Sequence, residues 1–262
     1  MTAWRLGLLL AAFFAVLLLA PGLVAPQSPF DLDPARALQP PSAAHWFGTD
    51  DVGRDVFARV VHGTRVTLGL VTFSLTLAML VGGGLGVVAG FAGGWFDLAA
   101  GRLTDMVQTF PPIIAGVMIT GVLGPGAANL VLALAVIYLP NFFRLGRSAA
   151  LAEAQLTYVE AARAAGFAEP AILLRQVLPN VLPVLVLNFV ILFPLALQIE
   201  AALGFLGLGV VPPAPDWGAI LEQGKNFILV AWWMSLWPGL FVLLSALAMT
   251  LLGRGLREKL AS

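Results

Sequence analysis

The chain contains no cysteine among its 262 residues. That excludes disulfides, thiolate metal sites and cysteine nucleophiles, and it leaves the redox compartment open. Its two histidines, His45 and His62, are too few for a histidine-built metal cage. Charge is also scarce: 11% of the residues are charged, where a soluble domain carries about 25%. Lys plus Arg and Asp plus Glu number 14 each, so no net charge points to nucleic acid. A P-loop is missing too. Gly224-Lys225 is followed by Asn226, and Ala219 stands where the first glycine would have to be. There is no Ser-His-Asp set and no His-Glu-x-x-His zinc motif. The reading is a non-enzyme that binds no metal, cofactor or ATP of its own.

What the chain has is hydrocarbon, at 60% hydrophobic residues. A bilayer core of about 30 Å needs about 20 apolar residues per helix. The runs that qualify are Leu6–Leu23, Val66–Phe91, Met106–Leu123, Asn129–Phe143, Val181–Leu203 and Ile228–Leu252. The fold class is therefore an all-α polytopic membrane protein with about six transmembrane helices. Residues 1–65 make an N-terminal anchor plus an extracytoplasmic segment, and residues 66–262 the main transmembrane domain. The first run has a signal-peptide alternative, but it is long and Pro26 would follow the cut, which favours a retained span. Even numbers of spans put both termini on one side. That side carries Arg5, Arg102, Arg144, Arg147, Arg163, Arg175, Arg254, Arg257 and Lys259. The other carries Arg36, Arg54, Arg59, Arg65 and Lys225, so nine against five puts the termini in the cytoplasm.

Pro26–Arg65 is the one long polar segment. Val56, Phe57, Val60 and Val61 suggest a short amphipathic helix on the membrane surface. His45, Asp50, Asp51 and Asp55 do not have metal-ligand spacing. A turn at Gly48-Thr49-Asp50 and an Asp55–Arg59 pair one helical turn apart account for them. In the second run Gly82, Gly86, Gly90 and Gly94 recur every four residues, a small-residue ridge that lets helices approach in lipid. A short loop holds Trp95, Asp97, Arg102 and Asp105. Pro111-Pro112 bends the third run, either to line a pathway or to fit a neighbour. Asn188, Gln198 and Glu200 lie in or at the end of the fifth. Glu200 is the most informative ionisable residue. It either lines a pathway or sits at the outer interface, pairing with Lys225 or an arginine. The segment Gly204–Phe227 reads as a loop, with Pro212-Pro213-Ala214-Pro215-Asp216-Trp217-Gly218 at its centre.

The stretch that organises the chain is Tyr158–Asn180. Helix formers fill Ala149–Ala165, Gly166 is placed to end that helix in a left-handed conformation, and Glu169-Pro170 opens a second one. Ile172, Leu173 and Val177 supply its apolar face. On spacing alone, an ordinary amphipathic hairpin between two spans fits as well.

Three separated signatures narrow this. Glu160-Ala161-Ala162, Gly166 and Leu178-Pro179 resemble the Glu-Ala-Ala loop of ABC importer permeases, with Gln176 where the general pattern has isoleucine. Gly48-Thr49-Asp50, Gly53-Arg54-Asp55 and Gly63-Thr64-Arg65 resemble the segment before the conserved spans in dipeptide, oligopeptide and nickel permeases. Residues 200–209, Pro212-Pro213 and Asp216-Trp217-Gly218 are similar to the peptide-type signature, with Gly204 and Asp216 at positions where the family often has serine. The resemblance implies a type I importer architecture and the role of second permease subunit in a heterodimer. The coupling loop falls at residues 148–180, where Glu160, Ala161, Ala162, Gly166, Ile172, Leu178 and Pro179 would dock an ATPase. It further implies two ABC ATPases that bind ATP and Mg, an extracytoplasmic binding protein that Asp216 and Trp217 would face, and a bacterial or archaeal inner membrane. Glu200, Gln198, Asn188 and Pro111 become candidates for the translocation path or outer gate. The expected cargo is di- or oligopeptide, with nickel chelates or glutathione-like compounds as the alternative. A secondary transporter would need an internal repeat and embedded charges, which the sequence does not offer.

Overall fold

The computed structural model describes residues 2–261, and the side chains of residues 4–259. Among them every regular element is helical, with a single isolated bridge between Thr49 and Asp55. α1 (Thr2–Leu19) runs up to a break at Ala20 and a short α2 (Pro21–Val24). The polar segment then folds over the start of α3 (Val56–Ala78). A π-helical turn, Met79–Gly83, joins α3 to α4 (Gly84–Ala92), and together they run 37 residues. At 1.5 Å per residue that is about 55 Å, longer than the bilayer core is thick.

α3 corrects two expectations. No separate surface helix lies at Val56–Val61; those residues begin the long helix, and Val56, Val60 and Val61 are buried. Nor does Asp55 pair with Arg59. Asp55 caps α3 by accepting from the Ala58 amide at 2.7 Å and holds His45 Nδ1 at 2.7 Å. Arg59 instead donates to Asp50 at 2.9 Å, and Arg54 reaches the same carboxylate at 2.6 Å. One buried carboxylate thus serves two guanidinium groups, and this ties the polar segment down onto α3.

The supposed loop at 95–105 is α5 (Gly94–Gln108), and the third run does not begin at Met106. α5 and α6 (Pro112–Leu123) form a pair bent by 90° at Thr109–Pro111. Pro111 has no amide hydrogen to continue a helix and is extended, at φ −56° and ψ 137°. α7 (Ala127–Glu153) passes through Pro140 and outruns the expected Phe143 by ten residues. A short α8 (Thr157–Ala164) and α9 (Glu169–Ile172) follow. The second coupling helix is not separate from the fifth span. α9, a π-helical turn at Leu173–Val177 and α10 (Leu178–Phe205) form one 37-residue rod. α11 (Trp217–Lys225) lies inside the expected outer loop, and α12 (Trp233–Ala261) closes the chain.

Among the described residues four helices are long and apolar enough to cross a membrane, or five if the bent pair is one span; Trp4–Leu19 is a shorter apolar helix. The glycine ridge explains how two of the long ones meet. A Cβ on Gly82, Gly86 or Gly90 would overlap the carbonyl oxygen of Leu139, Phe143 or Arg147 respectively, one turn of α7 after another. Gly94 departs from the ridge: it opens α5 at φ +66° with open space around it. On the other side of the bundle, Trp217 is fully buried with its ring edge-on to Phe14 and Phe241 at 6.2 and 5.9 Å.

Candidate functional site

The helical hairpin at 154–177 is built by its termini. α7 stops at Glu153, and the chain turns through Ala154 to Leu156, which is extended at φ −78° and ψ 146°. The expected single helix over Ala149–Ala165 is therefore two. α8 carries Glu160 in its first turn and Arg163 in its last, both favourable to the helix dipole. It ends on Gly166 at φ +81°. The Phe167 amide donates to Ala162 at 3.1 Å and the Gly166 amide to Arg163 at 3.0 Å. This pair of bonds is a Schellman motif, and it needs a left-handed residue at Gly166.

The hairpin closes on a small apolar interior: Val159, Ala162, Ile172 and Val177 are all buried. Arg163 clamps its mouth, donating to both carboxylate oxygens of Glu169 at 3.0 and 3.3 Å. The same guanidinium stacks over Phe91 at the end of α4, 5.3 Å from the ring centroid. An open groove of about 530 Å³ runs between Phe91, Arg163, Pro170 and Leu173. At the other end of α8, Tyr158 donates its hydroxyl to Glu153. Partial burial first, and that hydrogen bond second, hold the phenol above its ordinary range, so it keeps the proton it donates.

Of the seven residues expected to dock a partner, Glu160, Ala161, Gly166 and Pro179 are exposed and Leu178 is half-buried. Ala162 and Ile172 are buried in the hairpin itself and hold it together instead. Phe167 and Leu174, which the sequence pattern does not single out, are 56% and 61% exposed on the hairpin. For Phe167 the available signal was a large apolar residue directly after the turn glycine Gly166.

The cluster around Glu200 and Asp216 departs further from expectation. Asp216 and Trp217, expected to face a binding protein, are both without solvent exposure. Asp216 caps α11 through the Ala219 amide at 3.1 Å and accepts from Thr67 at 2.7 Å. Trp217 donates its indole N–H to the Val60 carbonyl at 2.9 Å. The Asp216 cap starts α11 within the segment that reads as a loop, and this segment packs into the bundle. Glu200 is also wholly enclosed, and neither of its oxygens has a hydrogen-bond partner among the described residues. Lys225 does not pair with it; that ammonium sits 3.1 Å from Glu222 and over the Phe205 ring. Gly204 is packed so closely that a Cβ there would stand 2.7 Å from the Gly218 Cα.

Among the other pathway candidates, Pro111 sits in the α5–α6 break, Asn188 is half-buried and Gln198 is exposed. A charged cleft of about 660 Å³ lies between α5 and α7, where the sequence pattern suggests a loop. Asp97 pairs there with Arg147, and Asp105 with Arg144 at 2.8 Å, while Arg102 lines the same wall. Among the described residues no group of His, Asp or Glu is arranged to hold a metal ion.

Comparison with known proteins gives one answer. The family described as "Binding-protein-dependent transport system inner membrane component" matches residues 82–261. The dipeptide transport system permease protein DppC of Alkalihalophilus pseudofirmus is 37% identical, over 97% of this chain and 84% of that protein. The di/tripeptide permease protein DppC of Pseudomonas aeruginosa is 40% identical, over 90% and 80%. The glutathione transport system permease protein GsiD of Pectobacterium atrosepticum is 39% identical, over 88% and 76%. A chain from an inward-facing structure of the MetNI methionine ABC transporter superposes with a TM-score of 0.61 at 25% identity, over 76% of this chain and 95% of that one. The matched region holds the glycine ridge, the Schellman hairpin and Asp216 with Trp217. The chain is a multi-pass, non-catalytic permease subunit of an ABC importer, and it belongs to the inner-membrane components of binding-protein-dependent transport systems, in their peptide and nickel branch.

Proposed function

We propose that this subunit imports di- or oligopeptides delivered by an extracytoplasmic binding protein, paired with a second, different permease chain above two ATPases. Relatives named for dipeptide and di/tripeptide transport support the cargo. The relative named for glutathione transport keeps glutathione-like compounds as the alternative, beside nickel chelates. ATP and Mg belong to the ATPases. Residues 1–65 are the anchor and extracytoplasmic segment, residues 66–262 the permease domain, and residues 148–180 the coupling loop. Trp4–Leu19, the bent pair and the four long helices together make six crossings, with both termini in the cytoplasm.

The observation that carries the coupling role is the exposed hairpin, ended by a left-handed Gly166 and offering Glu160, Ala161, Phe167 and Leu174 to a partner. These residues dock the ATPase, and Ala162 and Ile172 hold their scaffold. ATP-driven closure of the ATPases pushes on α8 and α9 and swings the spans between two packed states. For the pathway, the break at Pro111 and the exposed Gln198 are favoured over Glu200, which its own chain encloses.

Cysteine labelling tests the arrangement, since the chain has no cysteine to interfere. A cysteine at Leu229, which is 96% exposed before α12, is expected to react with an impermeant maleimide on intact cells. A cysteine at Phe167 is expected to react only after permeabilisation, and to be shielded when the ATPases are bound. The reverse pattern overturns the orientation, and a Phe167 site unshielded by bound ATPase overturns the docking face.

A further inference from the structure

The first and last residues of the organising stretch meet in space, and nothing in the docking reading uses that. Asn180, on α10 just past the π-helical turn, places its side-chain amide nitrogen 2.9 Å from Glu153, 2.9 Å from the Tyr158 hydroxyl and 3.0 Å from the Gln176 carbonyl, so that its two hydrogens are shared among three acceptors. Tyr158, at the start of α8, donates to the same Glu153 carboxylate at the end of α7. Its hydroxyl also approaches the Gln176 carbonyl at 3.5 Å. One small polar knot therefore holds three helices. It spans both weak points of the region: the turn at 154–156, which has no side-chain cap, and the π-helical turn at Leu173–Val177.

Those weak points matter mechanically. A π-helical turn is a local fault in the i to i−4 ladder, and such faults are where helices bend. A push on an unbraced α8 is absorbed there. Two donors, the Tyr158 hydroxyl and the Asn180 amide, meet on one oxygen of Glu153, and that shared centre fixes direction as well as distance.

We propose that Glu153, Tyr158 and Asn180 form a latch that makes α8 one rigid body with α7 and α10, so that force applied to α8 reaches both spans together. The inference rests on α8 being the ATPase-facing helix. The three are positioning residues, and Arg163 with Glu169 and Phe91 braces the other end of α8 against α4.

Pulsed electron resonance on the assembled importer tests it, with spin labels on cysteines placed at Thr157 in α8 and Leu195 in α10. The latched protein is expected to give one narrow distance, the same with and without a non-hydrolysable ATP analogue. Tyr158→Phe, which removes a single oxygen, and Asn180→Leu are each expected to broaden that distance and to make it shift when the analogue binds. A parent distance that moves with nucleotide, or variants that stay narrow and fixed, overturns the latch. The docking reading is scored separately by whether the ATPases are present in the purified complex. If they are absent, that reading fails, and the width of the distance in the lone chain still decides the latch.

Discussion

Gly86→Val is expected to stop the bundle from assembling. A Cβ at Gly86 overlaps the backbone carbonyl of Phe143, which no rotamer change can move aside. Relief requires α4 and α7 to separate, and that also undoes the contacts at Gly82 and Gly90, which rest on Leu139 and Arg147. Overpacking usually costs about 1–3 kcal/mol, and a backbone clash at the centre of a continuous ridge belongs at or above the top of that range. The comparison is Gly84→Val, in the same helix, where nothing lies within 4 Å of the added carbon. Thermal unfolding of the purified protein in detergent reads the difference. Gly84→Val should melt with the parent, and Gly86→Val should yield little folded protein or melt far below it. Equal melting of the two variants would show that the helices do not meet along this ridge.

Gly166→Val is expected to leave folding and insertion intact and to abolish ATP-driven uptake. The position has φ +81° and open space around it, so the penalty is confined to the backbone. Left-handed geometry costs an L-residue about 1–2 kcal/mol, and β-branching makes it worse. That is small beside the stability of the bundle. It is enough to break the Schellman bonds at Phe167 and Gly166 and to let α8 swing away from α9. Asparagine tolerates the left-handed region, so Gly166→Asn should keep most of the uptake. The expected order of uptake is Gly, then Asn, then Val, at equal amounts of protein in the membrane. Undiminished uptake by Gly166→Val removes the hairpin from the coupling mechanism.

Both predictions concern features that were legible in the sequence, for a common reason. A glycine at a helix end and glycines every fourth residue are local patterns, and local geometry translates them directly into a left-handed turn and a close-packed face. The long apolar runs were legible for the same reason. What stayed hidden depended on partners distant in sequence. Asp216 looked like an exposed loop acid because its partner Thr67 lies 149 residues away. Asp50 serves Arg59 in place of Asp55 because the polar segment folds back on α3, which no helical spacing reports. α5 was missed because its charges, Asp97, Arg102 and Asp105, read as a loop. Two of them are neutralised by Arg147 and Arg144 from α7. Ile172 reads as a docking residue because it lies on the apolar face of the second helix, and burial gives it to the hairpin's own interior. For Asp216, Asp50 and the charges of α5 the role turned on a contact across the bundle, and for Ile172 on the closing of the hairpin.

The central claim is that this chain works as the membrane half of an ATP-driven machine. A pull-down of the tagged chain from its native membrane in mild detergent, with every co-purifying protein identified, tests it most directly. The account predicts P-loop ATPases and a second permease of the same family, with the accompanying binding protein indicating the cargo. Recovery of the folded chain alone, without any ATPase, would contradict it.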